Sequence, residues 1–171
     1  MMARLSDVIL MHVAMVPDHA VGYGTADALR TVKPKPHAGK DRSVSCVLPH
    51  EARAARRARV LVARVLAEWA VPADTIDEAV LVASELVTNA TEHANPPLVL
   101  QLHHTGASEA VSVAVRDGGA ATTTGSWASS RGEGEHGRGL SIVEAVAFAH
   151  GTVEHRFGAT RWALLAAGGG A

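Results

Sequence analysis

The segment from Thr75 to Ala94 constrains this chain more than any other, because it reads as one helix with two unlike faces. At about 100° per residue, Ala79, Ala83, Leu86, Ala90 and Ala94 line one side, and Glu78, Glu85, Asn89 and Glu92 line another. The first side is apolar and mostly alanine, so it can lie close against a sheet. The second holds carboxylates and an amide in a row. Pro72 and Asp74 mark a break and a new helix start, and the helix stops before Pro96, since the residue preceding a proline avoids the helical region. A chain that builds this helix must also supply a sheet to cover its alanines.

Strand signals flank it on both sides. Val44, Cys46 and Leu48 alternate with polar or small residues, which predicts a short strand ending at Pro49. Residues 51–69 carry a helical period, with Ala58, Leu61, Val62, Val65 and Trp69 on one face and Arg53, Arg57, Arg64 and Glu68 on another. Leu98 to Leu102 and Val111 to Val115 are strand-like and joined through Thr105 to Glu109 as a hairpin. Residues 118–137 are rich in Gly, Ser and Thr and read as a long loop. Leu140 to Phe148 reads as a third helix, and Val153 to Arg156 with Thr160 to Leu165 as a closing hairpin turning near Gly158. Helices grouped beside a mainly antiparallel sheet predict an α+β fold, a two-layer sandwich.

Length and composition bound the alternatives. A chain of 171 residues allows one domain with appendages, and 47% hydrophobic against 19% charged residues is enough to bury a core. The expected organisation is a leader or linker over 1–42, a globular domain over 43–165 and a flexible tail over 166–171. The leader is broken by Pro17, Gly22, Gly24, Pro34, Pro36 and Gly39, a composition of disorder. Its apolar run, Val8 to Val16, is far short of the ~20 residues that span a bilayer and makes a poor signal peptide. One cysteine, Cys46, excludes an intrachain disulfide framework and a Cys-rich zinc site, and fits a reducing, cytoplasmic setting. Sixteen Lys+Arg against 17 Asp+Glu give no global basic field, and Phe and Tyr are scarce, so direct nucleic-acid binding is not expected. There is no H-E-x-x-H, no G-x-S-x-G elbow and no G-x-x-x-x-G-K-[ST] phosphate loop.

Three features carry chemistry. Glu85 and Asn89 are neighbours one helical turn apart. Glu can accept a proton from a hydroxyl or a water, and Asn offers a hard oxygen ligand for Mg²⁺ without adding charge. The same residues also suit an ordinary solvated helix face. Next, Asp117-Gly118-Gly119 follows an apolar strand. An Asp held there can accept from an exocyclic amine, and glycines admit a flat ligand against the backbone. Asp-Gly is equally a common turn. Last, Gly132-Glu133-Gly134-Glu135-His136-Gly137-Arg138-Gly139 opens an apolar helix. Free N–H groups and the helix dipole favour phosphate there, though a flexible loop ending in a helix cap is the plain alternative.

Taken in order, the three features resemble the Bergerat ATP-binding fold of the gyrase, histidine kinase and MutL ATPase domains. Within that superfamily, the string from Glu85 to Ala94 (ELVTNATEHA) and that from Gly137 to Val143 (GRGLSIV) look like the RsbW-like branch. These are stand-alone anti-sigma-factor serine/threonine kinases of the actinomycete type. The resemblance covers about residues 43–165 and implies a mainly antiparallel sheet of about four to five strands, covered on one face by three helices. It implies that Glu85 polarises the attacking hydroxyl, Asn89 ligates Mg²⁺, Asp117 reads the adenine amine and Gly119 lies beneath the base. Gly137 and Gly139 match phosphate-loop glycines, Arg138 is a cation beside the phosphates, and Thr160 resembles the final-strand threonine that supports the adenine end. Residues 120–137 would be the ATP lid.

The implied activity is transfer of the ATP γ-phosphoryl to a serine or threonine of a STAS-type anti-sigma antagonist, with ATP and Mg²⁺ as cofactors. Implied partners are that antagonist, a sigma factor, or both. A homodimer is left open. The alternative is a nucleotide-dependent binding module that sequesters a sigma factor or another partner without phosphorylating anything. It draws on two departures from the family pattern: Asp117-Gly118-Gly119-Ala120-Ala121 lacks a later glycine, and residues 120–137 contain no lysine. In that reading Arg53, Arg56, Arg57, Arg59 and Arg64 could dock an acidic surface.

Overall fold

The structure, a computed structural model, describes residues 41–105, 110–121 and 138–167. In chain order the elements are β1 (Arg42–Leu48), α1 (Ala54–Glu68), α2 (Ala73–His93), β2 (Leu98–Thr105), β3 (Ala110–Arg116), α3 (Arg138–Val146), β4 (Ala149–His155) and β5 (Gly158–Ala166). The strands form one five-stranded sheet in the order β1-β2-β3-β5-β4. Every pairing is antiparallel. The three helices pack on one face of it, as the order of elements predicts.

Register follows from the need to bury one face. Cys46 pairs with Leu100, Leu100 with Val115 and Val115 with Arg161, so these four residues form one row across the sheet. The next row runs Val44, Leu102, Val113 and Ala163. Nearly all of these point at the helices. A slip of one residue in any strand would turn its apolar set to the other side. Leu100, Leu102, Val113 and Val115 are each buried to 1% exposure or less, and each such side chain stabilises the fold by roughly 1.5–3 kcal/mol. Arg161 is the exception in this inward set.

α2 is the central element and touches α1, α3, β2, β3 and β5. Its buried residues are Thr75, Ala79, Val82, Ala83, Leu86, Val87, Ala90 and Thr91. That is the alanine face read from the sequence, widened by Val82 and Val87. α1 contributes Ala54, Ala58, Leu61, Val62, Val65 and Leu66. Cys46 lies in this core, and burial pushes its thiol up, opposed in part by the charge of Arg64.

Several boundaries differ from the sequence reading: β4 begins at Ala149, four residues before the expected Val153, and β2 runs on to Thr105. α3 ends at Val146, and Ala149 begins β4. The Ala147 N–H still closes the helix on the Val143 carbonyl, but the Phe148 N–H donates to Leu164 in β5. Sheet pairing therefore takes over at Phe148, and the helix ends two residues before its apolar pattern does. β5 also runs on to Ala166, one residue past the expected strand end at Leu165. The leader up to residue 40, the loop 122–137 and the tail 168–171 lie outside the described residues.

α1 ends on a left-handed residue that is not glycine: Ala70 has φ 58°. The turn is held by the Val71 N–H donating to the Leu66 carbonyl, the reversal usually made with glycine. An L side chain pays a steric penalty in that region, of which glycine is free. Ala70→Gly is expected to raise stability by roughly 0.5–1 kcal/mol, read as a higher urea midpoint at unchanged slope.

Candidate functional site

The polar stripe of α2 keeps its sequence-predicted face. Glu85, Asn89 and Glu92 are half-buried, while Glu78, nearer the start, is exposed. Glu85 points at the start of α3. A Cβ built on Gly139 would stand 2.6 Å from its Oε2. The atom it would meet is the far end of a flexible side chain, so a residue larger than glycine at 139 would displace this carboxylate from the first turn of α3. The helix α2 thus brings together two features that lie 54 positions apart in sequence (139 − 85). Arg138 opens α3. Gly137 and the rest of its glycine loop fall outside the described residues.

The second corner is Asp117, where β3 ends. Its side chain is 1% exposed. Oδ1 accepts from the Gly119 N–H at 2.9 Å and from the Ala159 N–H at 3.2 Å. Oδ2 accepts from Arg161 Nη1 at 2.6 Å. The backbone joins in, with the Asp117 N–H on the Ala159 carbonyl at 2.9 Å. One carboxylate therefore ties the end of β3 to the start of β5. Gly158 makes this approach possible: its φ is 127°, and a Cβ there would fall on the Asp117 carbonyl oxygen.

The glycines after Asp117 are clamped to the connection between α2 and β2. The Asn95 N–H donates to Gly119 and the Gly118 N–H to Asn95, at 2.7 and 2.8 Å. The Ala121 N–H donates to the His93 carbonyl at 2.9 Å. From the other side, His50 Nε2 lies 2.8 Å from the Ala94 carbonyl, which ties the end of β1 to the end of α2. Gly119 has φ 95°, so the loop turns there in a conformation open to glycine.

Thr160 stands apart from this cluster. Its register partners are Arg116 and Val153, and its hydroxyl shares a 2.8 Å hydrogen bond with His155 Nε2. Along a strand, successive side chains take opposite faces, so Ala159 and Arg161, rather than Thr160, are the β5 residues at Asp117. Arg161 is the residue that the sequence reading missed. The signal was present: Arg161, Ala163 and Leu165 share the inward parity of β5, and a charge on a buried face needs a partner.

Among the described residues, no group of three or more His, Cys, Asp and Glu could hold a metal ion by itself. The donor at hand is the Asn89 amide oxygen. It fits Mg²⁺, which keeps several waters and takes few protein ligands when phosphates are present. The candidate docking arginines on α1 are exposed at Arg53, Arg56, Arg57, Arg59 and Arg64. Two of them have partners: Arg57 pairs with Glu51 at 3.2 Å, and Arg59 donates to the Ser84 hydroxyl at 2.9 Å. No helix among the described residues is long and apolar enough to cross a membrane.

A half-buried carboxylate on a central helix, a buried aspartate at a strand end and a glycine-opened helix around one side of the sandwich define a class. Residues 48–156 match the histidine kinase-like ATPase domain family, and the chain belongs to that family. Among solved structures, it is similar to the crystal structure of the RsbU and RsbW domains of Rv1364c from Mycobacterium tuberculosis, with a TM-score of 0.56 and 23% identity. The likeness covers 72% of this chain and 32% of that one, so the chain spans about a third of the length of the matched structure. It bears on the fold alone. No protein of curated function matches the chain.

The clamp at Gly118 has a direct test. A Cβ there would fall on the Pro96 carbonyl oxygen, which is backbone and cannot rotate away. Gly118→Ala is expected to lower stability by about 1–3 kcal/mol, measured by urea unfolding.

Proposed function

We propose that this domain binds ATP with Mg²⁺ and transfers the γ-phosphoryl to a serine or threonine of a STAS-type antagonist in sigma-factor partner switching. The observation that carries the reading is the contact between Glu85 and Gly139. It puts a proton-accepting carboxylate beside the first turn of a helix whose N-terminus suits phosphate. Asp117 and Gly119 form the base end, Gly137, Arg138 and Gly139 the phosphate end, and Asn89 holds the ion. Thr160 bears on the base end through the backbone it shares with Ala159 and Arg161, its hydroxyl being bonded to His155.

Phosphoryl transfer rests on positioning and electrostatics. Glu85 accepts the proton of the acceptor hydroxyl as its oxygen bonds to the γ-phosphorus. The bond from that phosphorus to the β–γ bridging oxygen breaks, and ADP leaves. Bound Mg²⁺ would neutralise phosphate charge. The residues of the domain orient the hydroxyl, hold the base and shield the site from water. The setting this implies is cytoplasmic.

A second reading is a nucleotide-dependent binding module that holds a sigma factor or another partner without transfer. The observation favouring it is the absence of lysine from residues 120–137.

One measurement tests the nucleotide site that both readings share, and a second separates them. In calorimetry, ATP binding is expected to weaken without Mg²⁺ and to vanish in Asp117→Ala. In a transfer assay on candidate STAS proteins, Glu85→Ala is expected to lose at least about 10²-fold in rate while nucleotide binding largely persists. Undiminished transfer by Glu85→Ala would remove its assigned role. ATP binding by the wild type with no transfer to any STAS protein would favour the binding module.

A further inference from the structure

Asp117 does not offer a free carboxylate. Oδ1 is committed to two backbone donors, the N–H groups of Gly119 and Ala159. That leaves Oδ2, and Oδ2 already accepts from the Arg161 guanidinium at 2.6 Å. The contact is short and charge-assisted, and such bonds are about twice as strong as neutral ones. It is also poorly screened, since the Asp117 side chain is 1% exposed and that of Arg161 only 29%. Arg161 is not a surface residue folded back by chance. It sits in the inward row beside Val115, where the rest of β5 places Ala163 and Leu165.

We propose that Arg161 is a specificity-determining residue of the base site, a resident competitor for the carboxylate oxygen that would take the exocyclic amine of adenine. The inference rests on the reading that Asp117 receives this amine. A base amine reaching Oδ2 must displace the guanidinium or share the oxygen with it. Displacement exchanges a charged donor for a neutral one, and sharing divides one oxygen between the amine and a guanidinium that already holds it at 2.6 Å. The site therefore penalises the amine specifically. It does not penalise the purine ring or the phosphates, which meet other residues. Purines without the exocyclic amine escape the penalty, because they ask nothing of Oδ2. The site then discriminates among nucleoside triphosphates less sharply in favour of adenine than a free aspartate would.

The test is the ratio of affinities for ATP and for purine riboside triphosphate, the same ring without the amine. A ratio cancels the change in net charge that any Arg161 variant brings to polyphosphate binding. The full chain is titrated calorimetrically with each nucleotide in the presence of Mg²⁺, as wild type, Arg161→Met and Arg161→Ala. Methionine keeps the apolar stem and its packing, and a thermal melt of each variant confirms folding. The expected result is a wild-type ratio near one, moved about tenfold toward ATP in both variants. An unchanged ratio in the folded variants overturns the proposal. So does a wild type that already prefers ATP strongly, a result that needs no variant. Either outcome leaves the ATP-binding reading standing, since in both the wild type binds ATP. Failure of every protein to bind either nucleotide overturns both.

Discussion

The close packing of α2 on the sheet is the constraint from which the rest follows. Ala79, Ala83 and Ala90 are buried to 1% exposure or less, and their small size lets the helix axis come near the strands. That proximity holds Glu85 and Asn89 at a fixed height above the sheet and presents their stripe to α3. Larger residues at these positions would lift the whole helix. In a core packed as tightly as an organic crystal, such a shift has nowhere to dissipate. The end of the helix is held as firmly, by His50 on the Ala94 carbonyl and by Ala121 on that of His93.

Much of this was legible in the sequence. The α2 face, the inward strand residues and the order of elements followed from periods of 3.6 and 2. The end of α3 was not, because Ala147 and Phe148 suit a helix by composition and only the pairing of Phe148 with Leu164 draws the chain into the sheet. Long-range pairing of this kind leaves no local trace. At the site, Glu85 and Asp117 stood out through spacing and turn chemistry. Their surroundings did not. The contact of Glu85 with Gly139 depends on the approach of two helices, and the grip of Ala159 on Asp117 depends on strand register.

Thr160 and Arg161 show the limit most clearly. They are adjacent, yet strand alternation sends them to different faces. A motif places a residue in sequence to within one position, and in a strand one position decides which side of the sheet a side chain serves. Thr160 draws notice through the family resemblance alone. The arginine beside it holds the aspartate.

The pairing of Asp117 with Arg161 also alters the field at that end of the domain. A lone ionised aspartate, buried at the mouth of a strand, would project a negative potential toward any approaching polyanion. With the guanidinium 2.6 Å away, the two charges form an internal zwitterion whose sum is zero. What remains is a local dipole that fades much faster with distance than a single charge. A polyphosphate diffusing toward the sandwich therefore meets no long-range repulsion from this corner, and its orientation is left to the positive end of α3.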